Sequence, residues 1–259
     1  MYRGFNLKIG SACIGTNFVE YGKNLNNDNS EAIKYSIKNS VKPNGIIDGK
    51  ELQKIWFPGI DARIFISHSH DDEAKAMQLA GWLKHTFNIN SFIDSCVWRY
   101  ANDLLKILDN DYCFNKGDNT YSYKKRNFST SHIHMMLATA ISSMMAKTEC
   151  LIFLNTPNSI TINEDTLTTQ SPWLFLELSI YQIIEKKNPR VKLNFARRTQ
   201  MNQKLAESKK LDIAYSLNLG QLHEIDIDSL IKWEEKYKET GTFKDSLDVM
   251  YELNPERQD

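Results

Sequence analysis

A chain of 259 residues with 32 basic and 32 acidic side chains has no net field to draw it to nucleic acid or to an anionic membrane surface. Its 41% hydrophobic residues suffice for a sizeable buried core, yet no apolar stretch approaches the roughly 20 residues that span a bilayer. The N-terminus lacks the apolar core of a signal peptide, and Cys13, Cys96, Cys113 and Cys150 form no CxxC, so a cytoplasmic protein with reduced thiols is the expectation.

Residues 1–60 read as an opening extension rich in Asn, Lys and Ser, with helices predicted over 31–41 and 49–56. Phe57-Pro-Gly59 is turn chemistry that ends it. The pattern then alternates. Arg63-Ile-Phe-Ile66 is a short apolar run of strand character, bounded by Ser67-His-Ser-His-Asp-Asp72. Ser69 followed three residues later by Asp72 fits a helix start, and Ala76, Leu79, Ala80, Leu83 and Phe87 lie on one face of the helix that follows. Ser91-Phe-Ile-Asp94 is a second short strand. A long polar and aromatic connection over 95–131 comes next, with a short helix inside it at Leu104, Leu105 and Leu108.

Ile133, Met136, Leu137, Ala140, Ile141 and Met144 predict another helix, and Cys150-Leu-Ile-Phe-Leu154 the clearest buried strand. Ser171-Pro172 opens a further helix, with Pro where its missing N–H costs nothing. Strands over 191–195 and near 213–217, and a helical tail from Ser229, complete the chain. Alternating strands and helices imply a parallel sheet covered on both faces, a flavodoxin-like α/β fold. The expected divisions are an extension over 1–60, a main domain over 61–230 and a helical tail over 231–259 packed on it.

One residue breaks the pattern. The helix after Ser171 has an apolar stripe of Trp173, Leu176, Ile180 and Ile183, and Glu177 falls inside it. A carboxylate on a core-facing position is costly unless it is paired or lines a cavity. Two readings stand side by side: Glu177 at the stripe's edge reaching water, or Glu177 facing a cleft at the strand ends.

Taken together, Phe65-Ile-Ser-His-Ser-His-Asp-Asp-Glu73, Leu79-Ala-x-x-Leu83, Phe92-Ile-Asp-Ser95, Cys150-Leu-Ile-Phe-Leu154 and Ser171-x-Trp173-x-x-x-Glu177 resemble the Toll/interleukin-1 receptor (TIR) domain over residues 61–230. Leu174 stands where the family motif has Cys, and the stretch after Ser95 is longer than usual. Bacterial antiphage TIR proteins of the Thoeris type are the most similar members. That resemblance implies an enzyme that breaks the nicotinamide–ribose bond of NAD as substrate, with Glu177 catalytic and no metal. It also implies an ADP-ribose-derived signal acting on a separate effector protein, a phage-derived trigger and self-association. Ser67, His68, Ser69, Asp94, Trp98, Ser171 and Trp173 are the expected lining of the NAD site, although core packing suits either Trp equally well.

Two rival readings remain open on sequence grounds. His68-x-His70-Asp-Asp72 is similar to the ligand loop of metal-dependent hydrolases, with His132-x-His134 as a second pair, but the spacing departs from that motif and residue 73 is Glu rather than His. The other rival is a non-enzymatic TIR module that acts only by assembly, since fold does not fix function.

Overall fold

The computed structural model describes residues 1–10, 14, 18–20, 61–163, 166–187 and 213–255, with the backbone alone at 96–100, 103 and 242. Five parallel strands make the central sheet. They are β1 (Arg3–Lys8), β2 (Ile64–Ser67), β3 (Ser91–Ile93), β6 (Cys150–Asn155) and β10 (His223–Asp226), in the spatial order β3-β2-β6-β1-β10. Counted from β2, that is the doubly wound flavodoxin-like order 2-1-3-4-5, with the fourth position filled by the chain's first strand.

The helices are α1 (Glu73–Phe87), α2 (Ser95–Leu108), α3 (Tyr123–Lys147), α4 (Pro172–Ile183), α5 (Ile227–Thr240) and α6 (Ser246–Leu253). Strand alternation divides the interior into two cores. Phe65, Phe92, Leu151 and Phe153 meet Leu104 of α2, Leu137 and Ile141 of α3, and Leu174 and Leu178 of α4. On the other face Phe5, Leu7, Ile64, Ile66, Ile152 and Leu154 meet Leu79 and Leu83 of α1, Leu230 and Trp233 of α5, and Met250 of α6. Trp233 is wholly buried, stacks on Phe87 at 4.1 Å and donates its indole N–H to the Ser246 carbonyl at 2.7 Å. Such a ring satisfies both its apolar body and its polar handle.

Several expectations need correcting. Arg3–Lys8, expected within an extension, is an interior strand of the main sheet, pairing β6 from Arg3↔Cys150 to Lys8↔Asn155 and β10 from Phe5↔His223 to Lys8↔Asp226. The reason is visible in Arg3-Gly-Phe-Asn-Leu-Lys8: Phe5 and Leu7 face one core, while Gly4 and Asn6 turn to the other side and dilute the apolar signal. The boundary expected at 230 falls inside α5, whose Leu230 and Trp233 belong to one core with the sheet. The connection over 95–131 is mostly regular: α2, a π-helical turn (Asp109–Cys113), a hairpin of β4 (Phe114–Asn115) and β5 (Thr120–Tyr121), and the first turns of α3. Asp109, buried, ties this stretch down by accepting from Arg126 Nε at 2.8 Å and Ser129 Oγ at 2.7 Å.

The segment near 213–217 contributes β9 (Tyr215–Ser216) to a small antiparallel sheet with β7 (Thr161–Asn163) and β8 (Thr166–Thr169) rather than to the main sheet. The helices expected over 31–41 and 49–56 and the strand over 191–195 lie outside the described residues. No described helix is long and apolar enough to cross a membrane.

Candidate active site at the strand ends

In an open α/β sheet the ligand crevice lies beyond the carboxyl ends of the strands, where the winding reverses. Here that point is between β2, whose chain continues through α1 to β3 on one side, and β6, whose chain continues through α4 to β10 on the other. Ser67 ends β2 on the face shared with Phe65, turned toward the layer of α2, α3 and α4. Asp94 follows the pair Ile66↔Ile93 by one residue and therefore stands level with Ser67 on the neighbouring strand.

Glu177 arrives from α4. Ser171 caps that helix by accepting from the Leu174 N–H at 3.3 Å, and Pro172 takes its first turn. The helix buries Leu174, Leu178 and Tyr181, and Glu177 is inside this stripe with no exposed surface at all. The edge-of-stripe reading of Glu177 therefore fails. Ser67 Oγ donates to Glu177 Oε2 at 2.6 Å, and both residues are wholly buried.

His68 and Asp94 complete the cluster at 4% and 3% exposure, with His68 Nδ1 2.6 Å from Asp94 Oδ1. The contact is an ion pair whenever the imidazole is protonated. Among the described residues, Glu177 Oε1, His68 Nε2 and the neighbouring Ser95 Oγ have no hydrogen-bond partner, and His68 Nδ1 and Asp94 Oδ1 have only each other. Buried polar atoms in native proteins are nearly always bonded, so three unbonded ones gathered at the strand ends call for a functional account.

Burial, and after it the nearby Asp94 carboxyl, push the Glu177 carboxyl well above the usual carboxylate range, with the Ser67 hydroxyl working the other way. For His68 burial acts to lower the pKa, but the Asp94 charge and hydrogen bond, the Ile66 backbone and Glu73 outweigh it and the net direction is up. The site therefore sets Glu177, a carboxyl that burial biases toward its neutral form, beside a buried His68–Asp94 contact that favours the protonated imidazole. Opposed carboxyls of this kind mark acid–base or cation-stabilising sites.

The remaining expected residues scatter around this group. Ser69 is buried, but its side chain makes no cap bond. The Asp72 N–H instead bonds the Ser69 carbonyl at 2.8 Å in a short 3-10 turn, His70–Asp72. Ser171 uses its hydroxyl on the cap, and Trp173 meets His134 edge-on at 5.5 Å. Trp98 lies in the first turns of α2, its side chain outside the description. His70 is exposed while His68 is buried on Asp94, so the two do not converge, and no group of three or more His, Cys, Asp or Glu among the described residues is placed to hold a metal ion.

Three supporting residues were beyond sequence reasoning. Thr156 Oγ1 donates to buried Asp72 and Asn158 Nδ2 does so at 3.1 Å, pinning the turn after β6 to the start of α1, and Lys75 Nζ adds a local bond at 2.8 Å from within α1. These bonds outweigh the upward push of burial and hold Asp72 below the usual carboxylate range. Thr and Asn after a strand are a turn signal, but nothing local says which acid they meet.

The fold and site thus define a doubly wound α/β protein with a buried carboxyl, a serine and a histidine–aspartate pair at its switch point. Compared with protein-family models, curated proteins and solved structures, the chain matches none.

Proposed function

We propose that this chain is a NAD-cleaving enzyme of TIR type, cytoplasmic, whose ADP-ribose-derived product signals to a separate effector protein in antiphage defence. The observation that carries the reading is Glu177: a carboxyl with no exposed surface, held by Ser67 at 2.6 Å, at the switch point of a flavodoxin-like sheet. The sequence motifs supply the substrate class and the geometry supplies a reason for the carboxyl.

The chemistry follows from the bond to be broken. The electron pair of the ribose C1′–N bond passes to the pyridinium nitrogen, and nicotinamide leaves neutral, needing no proton. The ribosyl group acquires oxocarbenium character, which an adjacent carboxylate stabilises. Water capture then yields ADP-ribose, whereas capture by a hydroxyl of the same molecule yields a cyclic isomer, and the attacking O–H gives up one proton in either case. Glu177 is placed to hold the ribose and oppose the developing charge, with Ser67 orienting it. Complete burial of Glu177 and Ser67 means that substrate enters only when the site opens, which suits an enzyme whose unrestrained turnover would drain its host of NAD.

The test is NAD turnover with product mass spectrometry, for wild type and Glu177→Gln, in bacteria with and without phage challenge. Expected are nicotinamide and an ADP-ribose derivative from the wild type under challenge, and a loss of on the order of 10²-fold or more in the variant, the size seen when one electrostatic stabiliser is removed. Equal inertness of both proteins under challenge, with both folded, would leave the assembly module as the better reading.

A further inference from the structure

The mechanism above needs a carboxylate, yet Glu177 is wholly buried beside another acid, and both features bias it toward its neutral form. His68 and Asp94 lie at the ends of adjacent strands, 2.6 Å apart and almost wholly buried, and Asp94 is level with the Ser67 that holds Glu177. We propose that His68 and Asp94 are positioning residues that set the charge of Glu177: Asp94 keeps the carboxyl neutral while the site is closed, and His68 offsets Asp94 enough for Glu177 to ionise when a cationic ribosyl-pyridinium enters. This inference rests on the NAD-cleaving reading and deepens it.

Charge counting shows why the pair is needed. With Asp94 anionic, His68 cationic and Glu177 neutral, the closed site has no net charge. A pyridinium brings one positive charge, and Glu177 can answer it by releasing its proton to water. A unit charge about 4 Å away at an effective dielectric near 20 shifts such an equilibrium on the order of 10³-fold. Without His68, the bare Asp94 charge would oppose that ionisation. Without Asp94, an uncompensated imidazolium would favour ionisation of Glu177 in the empty site, against the burial that opposes it.

Among the described residues the charged and titratable groups facing the cluster are few. Asp94 comes from the end of β3, His68 from the end of β2, and Glu73 of α1 acts on His68. On α3, His134 stands against Trp173, one turn before Glu177 on α4.

The experiment is a carboxyl carbon-13 titration of the full-length chain labelled at glutamate, with the Glu177 signal assigned by its loss in Glu177→Gln. The midpoint is expected to fall by one pH unit or more in Asp94→Asn and to rise in His68→Gln, opposite directions that a general loosening of the site would not give. An N-alkylnicotinamide cation should lower the wild-type midpoint while neutral nicotinamide leaves it in place, an arm that needs no substitution and so survives a variant that fails to fold. Midpoints that move the same way in both variants, or that ignore the cation, overturn the proposal. Turnover of NAD, measured on the same samples, separates the two claims. Opposite shifts without any NAD cleavage support the charge-setting pair and sink the enzyme reading. Cleavage with an unmoved midpoint does the reverse.

Discussion

Glu177 is a residue the fold would be better without. A buried carboxyl whose folded pKa is raised above its unfolded value contributes stability that is fully present below the ordinary Glu range, near 4.5, and is lost as pH rises through the raised value. Each unit of that rise costs about 1.4 kcal/mol at pH values above it. Glu177→Gln keeps the shape and the acceptor for Ser67 and removes the titration. The variant should therefore be more stable than wild type at pH 8. A gain of about 2–4 °C in melting temperature per kcal/mol is the expected size for chains near this length. At pH 4.5 the two proteins should melt close together, because the wild-type carboxyl is then protonated in both states. Thermal melts of both proteins at the two pH values check this, and a variant less stable at pH 8 than at pH 4.5, relative to wild type, would contradict it. The acid was legible in the sequence because periodicity exposed it as a polar residue on an apolar stripe. Its partners were legible only in part. Ser67, His68 and Asp94 stood out as polar residues ending short strands, but which of them would touch Glu177 depends on the register of β2 against β3, which no local pattern encodes.

At the scale of elements, α4 can hold Glu177 in place only because β1 lets the helix come close. A β-carbon added at Gly4 would lie 2.5 Å from Leu222 Cδ2 and 2.6 Å from the Tyr181 ring, and Tyr181 is one turn beyond Glu177 on α4. A side chain there must push aside Leu222 Cδ2 and the Tyr181 ring, and a shift of that ring strains α4. Gly4→Val should cost about 1–3 kcal/mol or more by overpacking, and because the strained helix carries Glu177, NAD turnover should fall with it. A control is at hand in Gly117, where an added β-carbon meets nothing within 4 Å, so Gly117→Ala should stay within about 0.5 kcal/mol of wild type. Urea unfolding midpoints measure both. Elements with strong apolar periodicity, α1, β6 and α4, were readable from the chain, as was the apolar second half of α3. The first turns of α3 were not, since Tyr123 and Phe128 are exposed and Lys124-Lys-Arg126 breaks the pattern, and β10 was hidden by its polar sequence His223-Glu-Ile-Asp226. In each missed case tertiary pairing, not local preference, fixes the structure.

Across the whole molecule, the interior position of β1 decides what can be cut away. Residues 61–259 look in the sequence like a unit that could stand without the opening segment. In the sheet, however, β1 is the only described link between β6 and β10, with strand pairs on both of its edges. Phe5 and Leu7 are wholly buried in the core shared with α5 and α6, and Arg3 Nη1 donates to the carbonyls of Tyr251 at 2.9 Å and Asn254 at 2.6 Å at the end of α6. Burying two such apolar side chains is worth about 3–6 kcal/mol, before the loss of both hydrogen-bonded ladders. Domains of ordinary stability have only about 5–15 kcal/mol in hand. A chain beginning at Asp61 should therefore fail to fold cooperatively: its circular dichroism should show no sharp thermal transition, and it should bind a hydrophobic dye. Supplying residues 1–60 as a separate chain should restore the transition, because the missing strand fills a slot bordered by β6 and β10 and needs no covalent link to do so. A truncated chain that melts sharply within a few degrees of the full-length protein would show that β6 and β10 can close the gap by themselves, and that the interior strand is dispensable to the fold that positions Glu177.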